Sequence, residues 1–287
     1  MIHIYFNPLS NNRHGTEAVE EVKAYFPGKE IQVEDITKIP NAAAVTLNLE
    51  KDDIVVICGG DGTIHRFVNQ AYRVRIPQEI FYYRSGSGND FAHDINDSED
   101  LNTTLVKLIP LKKYYESLPI VTVNGKSRYF INGVGFGIDG YCCEAGDRLR
   151  AESVEKINYA SIAVKGLMGD YKPCSATVTV DGVSKTYRNV WLAPTMIGRY
   201  YGGGMKVAPN QDRLNSEKTV TTVVWHGTGK LRTLMNFKKI FKGTHVKKHF
   251  IALRTGHEVT VEFSKPQPLQ IDGETICNVT KYSVVYK

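Results

Sequence analysis

The chain has 287 residues, which is long for one domain and favours two. An apolar share of 42% and a net charge of +6 indicate a globular protein, and no apolar run approaches the roughly 18 residues of a membrane-spanning helix. The start, MIHIYFNP, lacks a charged and then apolar leader, so we expect no signal peptide. Five cysteines without C-x-x-C spacing argue against a zinc site or a disulfide framework. We expect them to be small buried side chains in a protein of the reducing cytoplasm.

The first part of the chain alternates strand and helix signals. Apolar runs predict strands at residues 2–6, 31–36, 54–58 and 80–83, and helical spacing predicts helices at 16–26, 41–49 and 64–72. The run at 54–58 is apolar throughout, which is typical of a strand buried on both faces of a parallel sheet. This rhythm predicts a doubly wound α/β domain.

The rhythm changes after Pro119. Hairpins are predicted at 120–130 and 176–188 because Asn-Gly and Asp-Gly turns interrupt them. Further strands are predicted at 220–225, 249–253, 258–263 and 269–271, and 142–167 has helical spacing. We therefore predict two domains, 1–118 and 119–287, of which the second is a mainly antiparallel β-sandwich or barrel. We also expect that the last ten residues, 278–287, could return to the first domain.

Positive charge is concentrated late in the chain. No acidic residue occurs between Glu217 and Glu258, whereas many cations do: Lys218, Lys230, Arg232, Lys238, Lys239, Lys242, Lys247, Lys248 and Arg254. Apolar residues at 231, 234, 235 and 241 share near-helical spacing with some of these lysines. Two interpretations stay open, a helix at an anionic membrane interface and an ordinary surface helix with a solvated basic face.

Three loops rich in glycine or small polar residues follow predicted strands, at 7–11 (NPLSN), 59–63 (GGDGT) and 85–91 (SGSGNDF). Ligands of open parallel sheets bind at the carboxyl ends of the strands, so we expect the three loops along one edge. Backbone N–H groups and helix N-termini there favour an anion such as phosphate, although each loop alone could be only a turn. Neither the G-x-G-x-x-G nor the Walker pattern is present, so no standard dinucleotide or P-loop site is expected.

A series of motifs resembles the catalytic fold of diacylglycerol kinases, which bacterial soluble lipid kinases share with the sphingosine and ceramide kinases. GGDGT at 59–63 is followed by RSGSGNDFA at 84–92, which is similar to the family's P-x-G-T-x-N-D-F-A. Asn7-Pro8 resembles the family's opening motif, and FGID at 136–139, GGGMKVAP at 202–209 and IDGE at 271–274 resemble later ones. The resemblance covers nearly the whole chain and implies an NAD-kinase-like α/β domain followed by a β-rich domain for the lipid substrate.

The resemblance also implies ATP and Mg²⁺ as cofactors and a role for individual residues. Asp272 would be the general base that takes the proton of the substrate hydroxyl, although without the family its Asp-Gly pair reads as a turn. Asp61, Asp90 and Asp139 would organise the magnesium–phosphate region. The residues placed at the nucleotide are Asn7, Pro8, Ser10, Asn11, Thr37, Gly59, Gly60, Asp61, Gly62, Thr63, His65, Ser87, Asn89, Asp90 and Glu274.

One departure from the family pattern concerns a structural magnesium. In bacterial members an aspartate and two backbone carbonyls hold this ion, and the corresponding positions in RLNSEK are Arg213, Ser216 and Lys218. Ser216 stands in the place of the aspartate, and a neutral hydroxyl is a weak ligand for so hard a cation. Asp212 or Glu217 would replace the aspartate only after a shift of the alignment.

The resemblance implies an ATP-dependent lipid kinase of phospholipid metabolism that phosphorylates diacylglycerol or a related lipid at a membrane surface. No nucleic-acid partner is expected, and a homodimer is compatible with this function. A second departure, His65-Arg66 in the place of the family's Asn-Glu, reverses a charge beside GGDGT. Two alternatives therefore stay open: an NAD-kinase-like enzyme for a soluble hydroxyl, and a non-catalytic, nucleotide-regulated lipid-binding protein.

Overall fold

The computed structural model describes residues 1–10, 15–72, 74–98, 108–152, 157 and 159–287. The chain divides into two compact units, Met1–Ser117 and Leu118–Lys287. Within the described residues, none of the helices reaches the length and apolar character that a membrane crossing requires.

The first unit is built on a five-stranded sheet. Its strands are β1 (Ile2–Phe6), β2 (Ile31–Asp35), β3 (Ile54–Gly59), β4 (Glu79–Arg84) and β5 (Leu108–Pro110), in the order β2-β1-β3-β4-β5. The first four strands are parallel, and β5 runs antiparallel to β4. The continuous apolar run of β3 is explained by its central place, because Val55, Val56, Ile57 and Cys58 are fully buried.

The helices that the structure describes in this unit are α1 (Glu17–Lys23), α2 (Ala42–Thr46), α3 (Asp61–Ala71), α4 (Asp90–Ser98) and α5 (Lys112–Tyr115). A 3₁₀ turn, Ile36–Lys38, follows β2. The apolar side of α1 packs on one face of the sheet, where Val19 and Val22 meet Ile4 and Val56. The predicted parallel α/β architecture is confirmed. Helix α3 begins at Asp61, earlier than predicted, because GGDGT supplies the cap and the first turn of the helix.

The second unit is mainly antiparallel β, as predicted. Its strands are β6 (Ile120–Val123), β7 (Lys126–Tyr129), β8 (Gly133–Gly137), β9 (Cys174–Val180), β10 (Val183–Val190), β11 (Leu192–Met196), β12 (Tyr200–Tyr201), β13 (Met205–Lys206), β14 (Val220–Trp225), β15 (Ile251–Gly256), β16 (Glu258–Ile271) and β17 (Glu274–Val285). Strands β12 and β13 form a separate ribbon. The main path is β15-β14-β11-β8-β16-β17-β6-β7, and β9 joins β16 and β10.

Strand β16 corrects the prediction of two separate strands at 258–263 and 269–271. It is one strand of 14 residues whose first part pairs with β9 and whose last part pairs with β8, while β17 runs beside both parts. Register shifts between Glu262 and Leu269 interrupt the ladder between the two parts. The sandwich core lies against this strand, and Phe136 contacts Phe263 and Tyr282 with ring centroids 4.4 and 5.3 Å apart.

Helices cover a second apolar cluster of this unit. They are α6 (Ile138–Ala151), α7 (Tyr159–Lys165), a π-helical turn at Gly166–Asp170 and α8 (Lys230–Phe237), with 3₁₀ turns at Lys238–Ile240 and Thr244–Lys247. Trp191, Trp225 and Ile240 are buried in this cluster, and Leu234 and Phe237 of α8 pack against it. The helical spacing at 142–167 therefore belongs to two helices, and the first begins earlier than predicted.

Two further expectations are corrected by the structure. Residues 278–287, expected to be able to return to the first domain, include the end of β17, which pairs with β16 and β6 inside the second unit. The five cysteines are all free, but only Cys58 is fully buried, and Cys277 is exposed. The interpretation of all five as small buried side chains is therefore wrong for Cys277.

Candidate active site

The three loops after β1, β3 and β4 meet at one edge of the first sheet. Because these strands are parallel neighbours, their carboxyl ends lie side by side. The Asn7 side-chain amide donates to the Thr63 hydroxyl at 2.9 Å, and the Ser10 and Ser85 hydroxyls lie 3.1 Å apart. Hydrogen bonds thus join the first loop to both of the others, as the expected alignment along one edge requires.

Glycines at this edge serve two different purposes. Gly60 and Gly86 let the second and third loops touch, because a Cβ added to Gly86 would lie 2.4 Å from the Gly60 Cα. Gly62, in the first turn of α3, is different, because a Cβ added there would meet nothing within 4 Å. Its surroundings are open, so Gly62 presents bare backbone at the positive end of the helix dipole.

Asp61 has a structural partner that the sequence does not reveal. Its Oδ2 accepts the Asp90 N–H and its Oδ1 accepts the Phe91 N–H, both at 3.0 Å. The carboxylate therefore caps the N-terminus of α4 and fixes the third loop to the second. Asn89, with φ of +53°, closes the turn before α4 by accepting the Gly86 N–H and donating to the Gly86 carbonyl.

A cavity of about 90 Å³ lies beside the first two loops, lined by Asn7, Ile36, Thr37, Gly62, Thr63, Arg66, Phe67 and Gln70. Four of these residues, Asn7, Thr37, Gly62 and Thr63, are among those the family resemblance places at the nucleotide. The Asp35 carboxylate holds Thr37 by accepting its N–H at 2.9 Å and its hydroxyl at 2.6 Å. The Thr37 hydroxyl, together with the Thr37 N–H and the Lys38 ammonium, lowers the pKa of Asp35 below its ordinary value.

Arg66 also shapes this cavity. Its guanidinium donates to the Ile39 carbonyl at 3.0 Å and to the Pro40 carbonyl at 3.3 Å. The Gln70 side chain donates to the same Pro40 carbonyl at 3.1 Å. Arg66 therefore anchors the segment that follows Thr37 onto α3. At a position where the family has a carboxylate, this chain has a cation that holds the Ile39-Pro40 backbone beside the cavity.

The remaining predicted nucleotide residues of the first unit are spread around the loops. Gly59 ends β3, Asp90 is buried at the start of α4, and Ser87 is exposed. Pro8 is half-buried in the first loop, and Asn11 lies outside the described residues. The His65 ring is buried on α3 with Asn69 as a neighbour, and it does not line the cavity.

Asp272, in the second unit, is a turn residue and an anchored carboxylate at once. Asp272-Gly273 joins β16 to β17 with φ of +48° and +90°, the pattern of a two-residue hairpin turn. The carboxylate accepts three backbone N–H groups, from Ile131 at 2.7 Å to Oδ2 and from Asn132 and Gly133 at 2.8 and 3.0 Å to Oδ1. The side chain is therefore held in one orientation before any substrate binds.

Glu274 and Asp139 have contrasting environments. Glu274 is half exposed and its Oε2 accepts the Arg128 guanidinium at 2.8 Å. Asp139, in the first turn of α6, is 5% exposed, and among the described residues neither carboxyl oxygen has a hydrogen-bond partner. Burial raises the pKa of Asp139 to about 7, because the charged form loses its hydration. The Asp139 and Gly140 N–H groups and the Gln270 side chain are near enough to oppose the rise, but none of them meets hydrogen-bond geometry with the carboxyl.

Comparison with known proteins decides the family. Residues 132–285 match the YegS C-terminal NAD kinase beta sandwich-like domain, and residues 1–115 match the diacylglycerol kinase catalytic domain. The chain belongs to the diacylglycerol kinase catalytic-domain family. It is therefore a kinase-family protein of the lipid-kinase type, and the family named from the motifs is confirmed.

Relatives of this kinase family cover most of the chain. A Bacillus subtilis (strain 168) protein named "Putative lipid kinase YtlR" is 24% identical over 96% of this chain and 94% of its own length. A "Diacylglycerol kinase" of Mycobacterium tuberculosis is 24% identical over 89% of this chain and 83% of its own. A solved structure from Bacillus anthracis, titled as that of "a putative diacylglycerol kinase", shares the fold with a TM-score of 0.66 at 18% identity, over 99% and 92% of the two chains.

The family's structural magnesium does not fit the residues of this chain. Ser216, at the position of the family's carboxylate, is exposed and carries no negative charge. The two positions that would supply backbone carbonyls both have cationic side chains: Arg213 is buried, and the Lys218 ammonium lies 5.8 Å from the centroid of the Tyr286 ring. The Asp212 carboxylate already accepts the Leu214 N–H at 3.0 Å. Across the ranges that the structure describes, no three His, Cys, Asp or Glu side chains are grouped to hold a metal ion.

Sequence reasoning missed several residues that support the site. The buried Tyr82 hydroxyl donates to the Gly59 carbonyl at 3.0 Å and so holds the start of the second loop in place. The Arg213 guanidinium donates to the Ile131 carbonyl at 2.8 Å, next to the amides that hold Asp272. Arg128 of β7, a strand far from Glu274 in the sequence, forms an ion pair with it. None of these pairings leaves a spacing pattern in the sequence, because the partners are far apart along the chain.

Proposed function

We propose that this protein is an ATP-dependent lipid kinase that transfers the γ-phosphate to the hydroxyl of diacylglycerol or a related lipid. The observation that carries the proposal is the edge of the first sheet, where three interlocked loops surround Gly62 and its open surroundings. Phosphoryl transfer depends on positioning and charge neutralisation more than on covalent chemistry, and such an edge supplies positioning.

The phosphate half of the proposal rests on α3. The first backbone N–H groups of a helix have no partner within the helix, and its dipole favours an anion. Because no side chain of the described residues occupies the space beside Gly62, phosphate oxygens can approach this backbone closely. The adjoining cavity with Thr37 and Arg66 would take another part of the nucleotide. Any Mg²⁺ would arrive with the nucleotide phosphates, as is usual for this ion.

The acceptor half rests on Asp272. Three backbone N–H groups orient its carboxylate, which is the preorganisation that a general base needs. In this orientation the carboxylate would accept the proton of the lipid hydroxyl. In this proposal the lipid is presented at the surface of a membrane.

The test is a transfer assay with labelled ATP and a panel of lipid acceptors in mixed micelles, with NAD as the soluble acceptor. The informative variant is Gly62→Ala. A methyl group at this helical position is tolerated by the fold, since it meets nothing within 4 Å, but it would intrude on a bound phosphate. Gly169→Ala is the matched control, because Gly169 is also a helical glycine whose Cβ would face open space.

We expect label to enter diacylglycerol or another lipid, and Gly62→Ala to raise the KM for ATP about tenfold or more while Gly169→Ala changes nothing. Both variants should melt at or slightly above the temperature of the native protein. Asp272→Asn should lower kcat by orders of magnitude with lipid binding retained. Transfer of label to NAD alone would favour the NAD-kinase-like alternative. If the native protein binds lipid without transferring label, and Asp272→Asn binds lipid equally well, the non-catalytic lipid-binding alternative would replace the proposal.

A further inference from the structure

A first inference concerns the segment between β13 and β14, where the family resemblance implies the structural magnesium. This segment, residues 207–219, borders a cavity of about 260 Å³ whose lining includes Gln211, Asp212, Asn215, Thr219 and Thr221. Two side-chain amides, those of Gln211 and Asn215, connect the start of the segment to its end. Gln211 is buried and Asn215 is half-buried, so the Gln211 amide in particular acts with little competing water.

Asn215 makes four hydrogen bonds across the segment. Its Nδ2 donates to the Asp212 carbonyl at 2.6 Å and to the Thr219 carbonyl at 3.1 Å. Its Oδ1 accepts the Thr219 N–H at 2.8 Å and the Thr219 hydroxyl at 3.1 Å. The backbone N–H of Thr219 can only donate, so the Asn215 atom that accepts it must be the amide oxygen, Oδ1. This contact therefore assigns the orientation of the Asn215 side-chain amide.

Gln211 repeats this arrangement. Its Nε2 donates to the Thr219 carbonyl at 2.9 Å and, more weakly, to the Asp212 carbonyl at 3.4 Å. Its Oε1 accepts the Thr221 hydroxyl at 2.6 Å. Each of the two carbonyls therefore receives N–H groups from both amides, and the two ends of the segment are joined through them.

We propose that these two amides close the segment in the way that a divalent cation closes it in magnesium-binding relatives, so that the folded protein needs no structural metal. A cation in this segment would require oxygen ligands, and at the position of the family's carboxylate it would find only the neutral Ser216 hydroxyl. The carbonyls of Asp212 and Thr219, which flank the predicted carbonyl positions 213 and 218, already accept N–H groups from the two amides. The guanidinium of Arg213, buried at 6% exposure and donating to Ile131 and Asn132, adds a fixed positive charge. This inference does not depend on the proposed function, since it concerns folding.

The experiment measures metal content and thermal unfolding of the purified protein without nucleotide. After dialysis against EDTA and then metal-free buffer, we expect far less than one magnesium per chain and a Tm that EDTA or 5 mM MgCl₂ leaves unchanged. Asn215→Ala should lower the Tm, on the order of 5 °C, because it removes four hydrogen bonds. Added MgCl₂ should not restore it.

Two controls make the outcome decisive. Asn210→Ala replaces another asparagine of the same cavity lining and should change the Tm by much less. Ser216→Asp restores a carboxylate at an exposed position and should still give a Tm independent of magnesium, because the amides remain. One tightly held magnesium per chain, or a native Tm that falls in EDTA and returns with MgCl₂, would overturn the inference whatever the enzyme phosphorylates.

A second inference concerns the exposed side of α8 and of its neighbour, the 159–170 segment. Leu231 and Met235, one helical turn apart, are 71% and 59% exposed, whereas Thr233 on the opposite side of α8 is buried. The 159–170 segment contacts α8 through its π-helical turn and exposes Val164 and Met168, the latter at 66%. Four large apolar side chains thus face solvent on two adjacent elements, here called the α8 surface.

The α8 surface is bordered by cations. Lys165 follows Val164 in the sequence, and Lys230 and Arg232 flank Leu231; all three side chains are exposed. Lys238 and Lys242, also exposed, lie three and seven positions after Met235. Lys239 is close enough to other lysines that partial burial and the repulsion of Lys248 and Lys238 lower its pKa. No Asp or Glu occurs between Glu217 and Glu258, so α8 has no acidic partner within its own part of the chain. This charge is complementary to an anionic surface.

We propose that the α8 surface docks on an anionic lipid bilayer, with Leu231, Met235, Val164 and Met168 entering the interface and the cations contacting lipid headgroups. A nucleic acid would match the charge but would leave the four apolar side chains exposed. An interfacial helix needs both features, an apolar face and a basic border, and α8 has both. The proposal deepens the proposed function by naming the surface that brings the enzyme to its lipid.

The test is sedimentation with vesicles of neutral phosphatidylcholine, with and without 30% phosphatidylglycerol. We expect binding to the anionic vesicles that weakens as salt is raised, and a loss of about tenfold or more for the pair Leu231→Gln and Met235→Gln. Val183→Gln is the control, because Val183 is 65% exposed and belongs to β10 rather than to the α8 surface.

The outcome is independent of whether the lipid-kinase assignment holds. Binding needs no turnover, and a short-chain water-soluble diacylglycerol would report activity without a bilayer. Unchanged binding by the double variant, equal binding to neutral and anionic vesicles, or preferential binding to a short RNA would each overturn the proposal. Val183→Gln should bind as the native protein does; if it loses binding equally, the effect is not specific to the α8 surface.

Discussion

The substitution Asp139→Asn is expected to remove a pH dependence of folding stability. Asp139 lies in the first turn of α6 against β8, where a Cβ added to Gly135 would come within 2.6 Å of its Oδ2. The carboxyl is buried, and among the described residues neither oxygen accepts a hydrogen bond. Burial raises its pKa from 3.8 to about 7, so the neutral acid is the favoured form inside the protein.

The sign of the effect follows from proton binding. Between pH 4 and pH 7 the folded protein holds a proton on Asp139 that the unfolded chain has released, so stability is lost as pH rises through this window. A rise in pKa from 3.8 to about 7 corresponds to roughly 4 kcal/mol over the whole window. Between pH 5 and pH 8 the native protein should lose roughly 3 kcal/mol more than Asp139→Asn, which has no proton to release.

The assay is urea unfolding of both proteins at pH 5, 6, 7 and 8. The quantity of interest is the difference in the free energy of unfolding between them, because contributions from all other titrating groups cancel in it. Asp147→Asn, an exposed position on the same helix beside Arg150, controls for the change of residue type. A difference between native protein and Asp139→Asn that stays constant across this pH range would refute the argument from burial.

Three further substitutions test the supports of the site. Arg66→Ala should raise the KM for ATP several-fold with a smaller effect on kcat, measured by steady-state kinetics, because the wall at Pro40 loses its anchor. Asp61→Ala should lower the free energy of urea unfolding by about 1–3 kcal/mol, because two amides of α4 lose their charged acceptor. Arg128→Ala should cost less than about 1 kcal/mol in stability, since its pair with Glu274 is half exposed; a larger loss would contradict this assignment.

The parallel sheet and its functional edge were predictable because their signals are local. Continuous apolar runs identify buried parallel strands such as β3, and the residue types that follow each strand are those of turns and helix caps. The expectation that the loops after β1, β3 and β4 share one edge needs only parallel connectivity. The bond between Asn7 and Thr63 confirms it.

What escaped prediction depends on contacts between distant residues. Strand β8, Gly133–Gly137, has three glycines, so its sequence shows neither an alternation of polar and apolar residues nor an enrichment in β-branched residues. The capping of α4 by Asp61 needs partners 29 and 30 residues away, and the amides that hold Asp272 are about 140 positions earlier in the chain. The sequence shows that Asp61 and Asp272 are unusual, but only the fold shows which atoms they hold.

The two departures from the family pattern share one physical logic. At Arg66 a guanidinium replaces a carboxylate, and it donates to the Ile39 and Pro40 carbonyls. In the segment around Ser216 the missing carboxylate is accompanied by amides that donate to backbone carbonyls, among them that of Thr219. In both places an acceptor has given way to nitrogen donors that bind the backbone directly. Because each local structure has its own replacement bonds, neither departure by itself argues for a protein that has lost catalysis.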